Sequence, residues 1–409
     1  MSKHGLPKEL LPPKKFIGNM SPSFVEKRRN DLELYLREVL KFLRLALPKE
    51  FLEFLDFPRI EVACHMQAFA RMLAVEGDKL LEGNAPLRLS PLKLHAITER
   101  LQLPCPPLDL EGTADDFSHV VDYISQVRVL YATGSDEPLE QSNVVPNLFD
   151  FELGPFKSLQ RLHLVSINVK RIKGIGGLRE ILEELHACNC GMTQLRHLLL
   201  CDLVHQDETT IAAALKEHKY IWTAVKVARF SGNQLRAIDP SVKLLPTVKS
   251  LDFSCNQITS IQNMTGLPYM TDLNLSFNAL SSLQDLHTKL GQVVSLDLSS
   301  NNISSLEGFG RLFSLEKLDL SCNRVSDISQ VSHVASLPCL DTLVFVGNPM
   351  TLAVDYRVKV LQQFEASRVP TLLLDHEHPT QKETDKVAVL QALRKAREGH
   401  PLTKVMASP

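Results

Sequence analysis

The second half of the chain carries a regular alternation of apolar and polar residues. In segments such as SLDFSCNQI, DLNLSFNAL and SLDLSSNNI, two apolar residues stand two positions apart, and an asparagine follows three positions after the second. Residues two apart on a strand point to the same side, so each segment predicts a short strand with one buried face. The asparagines recur every 22 to 25 residues, at Asn233, Asn256, Asn278, Asn301, Asn323 and Asn348. This period predicts a solenoid, in which stacked units bury a continuous core.

The period and the sequence L-x-x-L-x-L-x-x-N resemble leucine-rich repeats. The fold class that follows is an α/β leucine-rich-repeat solenoid with parallel strands on its concave face. In DLNLSFN, Leu273 and Leu275 are expected to face the interior and Asn274 the concave side. We expect each ladder asparagine, the one that ends the motif, to bond main-chain groups of the turn that no neighbouring strand reaches.

The first repeats are less regular than the later ones. Ile167 and Cys190 occupy the asparagine position in LQRLHLVSINV and LEELHACNCGM. The 43 residues from Cys190 to Asn233 leave room for one further degenerate unit. Cys255 and Cys322, each directly before a ladder asparagine, are interpreted as small packing residues.

A segment after the last repeat is expected to cover the end of the solenoid, because a terminal repeat has no neighbour. It contains NP, then DYR, an apolar helical pattern, and TLLLD ending at Asp375. This order resembles the C-terminal cap of cytosolic leucine-rich-repeat proteins. A further helix is predicted from Thr380, with Glu383 completing a capping box, to about Gly399.

The N-terminal segment predicts a long helix. Ser21 and Pro22 have the form of an N-cap followed by proline in the first turn, and the helical pattern continues to about residue 45. Its apolar stripe consists of Val25, Leu32, Leu36, Val39 and Leu43. Arg28 lies within this stripe, where a guanidinium is costly unless it meets a carboxylate or a charged ligand, or extends its head to water.

LPPKKFIGN followed by FVEKRRNDLELYL resembles the second half of a PX domain, a phosphoinositide-binding module with a proline-rich loop and then a helix. The resemblance implies that Lys14 contacts lipid phosphates and that Arg28 contacts the inositol ring. Residues 1–50 hold 11 Lys plus Arg against 6 Asp plus Glu, a local balance that suits an anionic membrane surface. The family's strands and its Arg-Arg-aromatic motif would precede the loop, so we expect an incomplete PX domain here and weak lipid binding by this chain alone.

Residues 46–150 are predicted to form helices and loops without chemistry. An amphipathic pattern covers residues 59–80, and Ser90 with Pro91 begins another helix that reaches about Leu101. The predicted organisation is a PX-like segment at 1–45, a helical connecting region at 46–150, leucine-rich repeats with their cap at 151–375, and a C-terminal helix and tail at 376–409.

Composition and motifs exclude several function classes. The 409 residues are 44% hydrophobic and 22% charged with a net charge of -2, as in soluble globular proteins, and this balance disfavours nucleic-acid binding. Among the eight cysteines no C-x-x-C pair occurs, and His65, His95 and His119 are too scattered for ligands, so no metal and no cofactor are expected. KGIGG around Gly174 is not a phosphate loop, and neither G-x-S-x-G nor H-E-x-x-H is present. We expect no catalytic residues and a cytoplasmic protein with reduced thiols.

The concave face carries the candidate partner-binding site. Between the two strand leucines, successive repeats place Arg229, Asp252, Asn274, Asp297, Asp319 and Val344. In one interpretation L-D-L-S is simply the repeat consensus and each aspartate is solvated. In the other, like charges on neighbouring strands repel and a Lys- or Arg-bearing segment docks along Asp252, Asn274, Asp297 and Asp319, with Asp297 and Asp319 as main anchors.

The order of these parts, together with SVKLLPTVKSLDFSCN, LHTKLGQVVSLDLSSN and DYRVKVLQQF, resembles nischarin-like scaffold proteins. The family's long region beyond the repeats is not expected here. The resemblance implies a cytoplasmic scaffold with endosomal membrane association that binds phosphatidylinositol 3-phosphate in its complete form. It also implies restraint of cell migration through an integrin cytoplasmic tail, Rac and PAK-family kinases. The repeats alone equally fit an adaptor for a phosphatase or cytoskeletal complex with no lipid role.

Overall fold

Parallel strands stacked side by side form the main sheet of the protein. A computed structural model describes residues 21–42, 57–83, 85–102, 118–139, 144–203, 213 and 215–398. The strands are β1 Leu87–Leu89, β2 Val129–Thr133, β3 Phe151–Glu152, β4 Arg161–Val165, β5 Ile172–Lys173, β6 Glu184–Cys188, β7 Val227–Arg229, β8 Ser250–Asp252, β9 Asp272–Asn274, β10 Ser295–Asp297, β11 Lys317–Asp319, β12 Thr342–Val344 and β13 Leu373–Leu374.

Helices lie between the strands and at both ends of the sheet. The α-helices are α1 Pro22–Phe42, α2 Phe57–Glu82, α3 Pro91–Gln102, α4 Ser118–Gln126, α5 Arg196–Leu199, α6 Leu286–Leu290, α7 Ser332–Ala335, α8 Tyr356–Leu361 and α9 Gln381–Glu398. Short 3-10 helices lie at Pro146–Leu148, Val169–Arg171, Ile175–Leu178, Cys201–Leu203, His218–Tyr220, Pro240–Leu244, Ile328–Val331 and Pro349–Leu352.

The main sheet has eleven strands in the order β1-β2-β4-β6-β7-β8-β9-β10-β11-β12-β13, and every neighbouring pair is parallel. β3 and β5 form a separate two-stranded parallel sheet. The leucine-rich-repeat solenoid expected from the sequence is therefore confirmed. One register-matched row of buried apolar residues runs through its interior, made of Leu130, Leu162, Leu185, Ala228, Leu251, Leu273, Leu296, Leu318, Leu343 and Leu374.

The ladder asparagines bond main-chain groups of two adjacent repeats. Asn256 Nδ2 lies 2.9 Å from the carbonyl oxygens of Phe230 and Phe253 and 3.1 Å from that of Ser254. Asn256 Oδ1 accepts from the Leu235 N–H at 3.1 Å. Equivalent bonds are made by Asn233, Asn278, Asn301, Asn323 and Asn348. The structural role predicted for these residues is confirmed.

Cys190 takes the place of a ladder asparagine in its own repeat. Its thiol points to the carbonyl oxygens of Cys188 at 3.4 Å and Leu164 at 3.7 Å, which are the kinds of acceptor that the asparagines use. Burial raises the pKa of this thiol to about 11, so it stays protonated and able to donate. The assignment of Cys190 to the asparagine position is confirmed.

The further repeat expected between Cys190 and Asn233 is absent, because β6 pairs directly with β7 and leaves no edge for another strand. The described residues of this interval form α5 and two 3-10 helices instead. Buried Arg179 lies behind them, bonded to Asp202 at 2.8 Å and close to the face of buried Trp222. The described part of this extra length lies outside the sheet.

Cys255 and Cys322 do not pack in the core, so their interpretation as packing residues is wrong. Both are exposed, with φ of 55° and 53°. The same left-handed position precedes other ladder asparagines, where Gly232, Phe277 and Gly347 stand. The chain turns sharply there after each strand, a conformation that costs a non-glycine residue about 1 to 2 kcal/mol.

The sheet begins within the segment that the sequence assigns to helices and loops. The predicted helices are confirmed as α2 and α3, but β1 and β2 also join the sheet, and this part of the prediction is wrong. Neither strand is followed by the ladder asparagine, so the repeat pattern does not reveal them. Phe69 and Leu73 of α2 and Ile124 of α4 are buried in the core that the sheet shares.

Helix α1 buries a face that is shifted from the predicted stripe, of which Leu32 and Leu36 are half-buried. Val25 is 50% exposed, whereas Tyr35, which the stripe omits, is 8% exposed. Burial is therefore centred on Tyr35, and Arg28 is half-buried. The side chain of Val39 and all of Leu43 lie outside the described residues.

The C-terminal cap closes the last repeat through buried polar bonds. Asp375 accepts from the Tyr356 hydroxyl at 2.6 Å and from the Phe345 N–H at 2.7 Å. Arg357 bonds the Leu374 carbonyl oxygen at 2.7 Å and pairs with Glu383 at 2.8 Å.

The capping box predicted at the start of α9 is confirmed. The Thr380 N–H donates to the Glu383 carboxylate at 2.9 Å, and the Glu383 N–H donates to the Thr380 hydroxyl at 3.3 Å. Burial opposes ionisation of Glu383, but these bonds and Arg357 outweigh it and lower the pKa of Glu383.

We predict that Leu273→Ala lowers the free energy of unfolding by about 2 to 5 kcal/mol, since it leaves a cavity in the interior row. Leu273 is 2% exposed. Leu352→Ala is the matched control, because Leu352 is 89% exposed and should change stability by less than about 0.5 kcal/mol. Urea unfolding measures both, and equal midpoints for the two variants would contradict the assigned register.

We also predict that Arg357→Ala lowers the free energy of unfolding by about 2 kcal/mol, since it leaves Glu383 and the Leu374 carbonyl without their partner. The control is Lys386→Ala, which removes the exposed pair with Asp355 and should cost much less, because solvent screens an exposed ion pair. The Glu383 contribution is present above the usual carboxyl pKa and is lost as pH falls through its lowered value. The difference between the variants should therefore shrink in acid, and a difference unchanged at low pH would argue against this ion pair.

Candidate partner-binding surface

The sheet register aligns the predicted acidic row. Asp252 pairs with Asn274, Asn274 with Asp297, and Asp297 with Asp319, each on neighbouring strands. All four side chains are half-buried on the face opposite the interior leucines. The structure therefore brings the four predicted residues together, while their binding role stays a prediction.

Each member of the row also bonds its own chain. The Ser299 N–H donates to Asp297 Oδ1 at 2.9 Å, and the Ser321 N–H donates to Asp319 Oδ1 at 2.8 Å. Asn274 accepts from Ser276 in the same way at 2.9 Å. These bonds hold the carboxylates in fixed positions. Among the described residues neither Asp297 nor Asp319 forms an ion pair, so both charges face the groove uncompensated.

The same row continues toward the N-terminal end with a different chemistry. Arg88, Tyr131, His163, His186 and Arg229 occupy matched positions on β1, β2, β4, β6 and β7. The Arg88 guanidinium lies 4.7 Å from the centre of the Tyr131 ring. Tyr131 stacks on His163 at 4.1 Å, and His163 meets His186 edge-on at 4.1 Å. We call these five residues the aromatic ladder.

Sequence reasoning missed the aromatic ladder, although part of its signal was present. His163 and His186 stand between the two strand residues in RLHLV and ELHAC, the position that Asp252 holds in its own repeat. Tyr131 and Arg88 belong to strands that the sequence did not predict. The acidic row was visible because its repeats are regular, and the ladder was hidden because its repeats are not.

The electrostatics of the two histidines follow from their burial. Burial lowers the pKa of His163, Arg161 and Arg229 lower it further, and Glu184 opposes them. Burial, then His163 and Arg229, lower the pKa of His186 to about 4. Both imidazoles are therefore neutral at pH 7. His186 is 9% exposed, and its Nε2 atom is buried with no hydrogen-bond partner among the described residues.

The residues expected to bind lipid are not placed together by the described structure. Arg28 lies on α1, and Lys14 lies outside the described residues. The neighbouring Arg29 is exposed and pairs with Glu26 at 2.7 Å. The assignment of Lys14 and Arg28 to lipid binding stays a prediction.

Other polar groups have structural partners. His95 and His119 bond the main-chain oxygens of Asp150 at 2.7 Å and Ala70 at 3.0 Å. Across the described segments no cluster of histidine, cysteine and carboxylate side chains has the arrangement of a metal site. Burial raises the pKa of the Cys201 thiol to about 12. Within those same segments, no helix combines the length and apolarity needed to cross a membrane.

Comparison with known protein families identifies two modules. The PX domain family matches residues 3–58, and leucine-rich-repeat families match residues 245–261 and 268–325. The chain therefore contains a PX domain segment and leucine-rich repeats. The corresponding expectations from LPPKKFIGN, from FVEKRRNDLELYL and from the asparagine period are confirmed.

Curated relatives are similar to this chain over longer stretches. The chain is 25% identical over 312 residues to the serine/threonine-protein kinase 11-interacting protein of Gallus gallus, which covers 72% of this chain and 27% of the relative. It is 30% identical over 210 residues to the Homo sapiens protein of the same name, covering 51% of this chain and 18% of the relative. The chain thus spans less than a third of either relative.

Solved leucine-rich-repeat structures are also similar. An internalin from Listeria monocytogenes has 19% identity and a TM-score of 0.39, with 57% of this chain and 65% of that chain covered. A chain of the SNF/U2A' complex of Drosophila melanogaster has 22% identity and a TM-score of 0.28, with 35% and 81% covered.

Proposed function

We propose that the protein is a non-enzymatic scaffold that connects a phosphoinositide-containing membrane to a protein partner. Its two modules support this function, because PX domains suggest phosphoinositide binding and repeat solenoids offer extended concave surfaces to partners. The observation that carries the protein-binding half is the acidic row. Its carboxylates are aligned across adjacent strands, fixed by main-chain bonds, and unpaired among the described residues.

The partner segment that this row suits is basic. Adjacent strands lie about 4.8 Å apart, so Asp252, Asn274, Asp297 and Asp319 span about 15 Å, a length that an extended peptide crosses in four or five residues. A lysine or arginine near Asp297 and Asp319 would relieve the repulsion between them. The names of the relatives make serine/threonine-protein kinase 11 a candidate partner. The nischarin-like resemblance adds an integrin cytoplasmic tail, Rac and PAK-family kinases, and thereby a role in restraining cell migration.

The lipid half of the proposal concerns phosphatidylinositol 3-phosphate on endosomal membranes. Lys14 would contact the lipid phosphates and Arg28 the inositol ring. The basic balance of residues 1–50 favours approach to an anionic surface. In this proposal the membrane localises the scaffold, and the concave face recruits its partner there.

We predict that Asp297→Asn combined with Asp319→Asn weakens partner binding by about tenfold or more, with a smaller dependence on salt. Stability should be nearly unchanged, because Asn274 already makes the same main-chain bond with an amide oxygen. Isothermal titration against the candidate partners at two salt concentrations measures the affinity, and thermal unfolding checks the fold.

The matched control for that experiment is Glu307→Gln, which removes an exposed carboxylate in a turn outside the strands. It should leave affinity within about twofold, because surface charges at a distance are screened. If the Asp297 and Asp319 double variant binds as tightly as the parent at low salt, the acidic row has a structural role only.

We predict that a form with a complete PX domain binds vesicles containing phosphatidylinositol 3-phosphate, and that Arg28→Ala weakens this binding by about tenfold. A charge-assisted bond contributes roughly 1.5 to 3 kcal/mol. Arg29→Ala is the control, since Arg29 already pairs with Glu26 on the exposed side of α1. Cosedimentation measures the binding. Vesicles that contain phosphatidylinositol in place of phosphatidylinositol 3-phosphate test whether the binding is specific for the 3-phosphate. Binding that is indifferent to Arg28 would refute this assignment, and no lipid binding by any form would favour the phosphatase or cytoskeletal adaptor.

A further inference from the structure

The aromatic ladder has features that its structural role does not explain. A buried stack could be completed by apolar residues, yet this one contains two histidines with an arginine at each end. His186 lies at its most buried point with Nε2 unpartnered among the described residues. Leaving such an atom without a hydrogen bond is costly. Half-buried His163, which meets His186 edge-on, is the imidazole that a bound group can reach.

We propose that the aromatic ladder binds an acidic segment of a protein partner, and that its two histidines make this binding stronger as pH falls. The proposal deepens the scaffold function above, but it uses the other half of the concave face and the opposite charge. Its success or failure can therefore be separated from that of the acidic row.

Charge complementarity favours an acidic occupant. Arg88 is exposed and held over the Tyr131 ring, and stacking on a ring face leaves the N–H groups at the edge of a guanidinium available to a carboxylate. Arg229 is exposed at the other end and forms no ion pair with any described residue. A basic segment would meet two like charges here. An acidic segment would meet one guanidinium at each end and the half-buried His163 imidazole between them.

The dimensions favour an extended peptide. From Arg88 on β1 to Arg229 on β7 there are four strand spacings, about 19 Å, which an extended chain covers in about six residues. The acidic row begins on the next strand, where Asp252 pairs in register with Arg229. One extended segment with an acidic part and a basic part would therefore match the whole concave face in a single orientation.

The sign of the pH effect follows from linkage. The charged or titratable side chains around the two imidazoles are Arg88, Tyr131, Arg161, Glu184 and Arg229. Glu184 is the acid among them, and it lies 3.9 Å from Arg161. In the free protein burial, with a smaller contribution from nearby arginines, holds the pKa values of His163 and His186 below the usual value, while Glu184 opposes this at His163. A bound carboxylate favours the imidazolium form and raises both, so binding takes up protons and the affinity rises as pH falls.

The test uses the full chain and a fluorescein-labelled ten-residue peptide of alternating glutamate and alanine, with a glutamine-for-glutamate peptide as its neutral counterpart. Fluorescence anisotropy at pH 7.5 and 5.5 gives the dissociation constants. Glutamate keeps most of its charge at pH 5.5, because its ordinary pKa is about 4.3. We expect the acidic peptide to bind about three- to tenfold more tightly at pH 5.5, within the limit of about tenfold per pH unit for each proton taken up.

Two variants assign the effect to the ladder. Arg88→Gln with Arg229→Gln should weaken acidic-peptide binding by about tenfold at both pH values without changing the melting temperature, since both side chains are exposed. The matched control is Lys317→Gln, which removes an exposed cation from β11 in the acidic half and should change affinity by less than about twofold. His163→Gln should reduce the pH dependence. Because His186 is buried, proton NMR titration of the parent replaces its substitution, and the pKa values of both histidines should rise when peptide is added.

Several results would overturn the proposal. The proposal is wrong if the neutral peptide binds as tightly as the acidic one, or if the arginine double variant keeps the affinity of the parent. It is also wrong if the acidic peptide does not bind, or binds with the same affinity at both pH values. Binding of phosphatidylserine vesicles that needs Arg88 and Arg229, without peptide binding, would assign the ladder to membranes instead. The acidic peptide could bind as expected while the double variant of Asp297 and Asp319 binds its basic partner as tightly as the parent. That result would refute only the binding role of the acidic row.

Discussion

The bend after each strand is the constraint on which the rest of the molecule depends. Its main-chain groups lie beyond the reach of the strand ladder, and buried groups of this kind must be paired. The amide of Asn256 serves carbonyl oxygens of its own repeat and of the one before it. Each such residue therefore fixes the spacing and register of two units at once. The alignment of the acidic row on the concave face is a consequence of that register.

The sequence predicts the fold wherever a residue has one structural purpose. The asparagine period, the capping box of Thr380 with Glu383 and the helices α2 and α3 were all foreseeable, because local geometry alone demands those residue types. The strands β1 and β2 were not, since short apolar stretches suit a helix or a strand until their neighbours are known. The prediction of a further repeat after Cys190 was wrong because the length of a segment alone does not distinguish a repeat from an insertion.

The residues of the candidate site were likewise predictable only in part. Asp297 and Asp319 could be aligned in advance because their repeats share one motif and one register. His163 occupies the equivalent position, but its neighbour Tyr131 sits on a strand known only from the structure. The stacking of Tyr131, His163 and His186, and the pKa values that follow from it, depend on residues brought together across three strands. Contacts of this kind are properties of packing and not of any single segment.

The bond from Ser276 to Asn274 has a consequence for how this surface can change. Asn274 and Asp297 make the same main-chain bond through one oxygen, and the remaining atom of the side chain is left to face the groove. The fold thus specifies an acceptor at this position without specifying its charge. Exchange between aspartate and asparagine would alter the electric potential along the groove while leaving the backbone in place. A solenoid of this construction can acquire a new charge pattern, and with it a new partner, without first passing through an unstable intermediate.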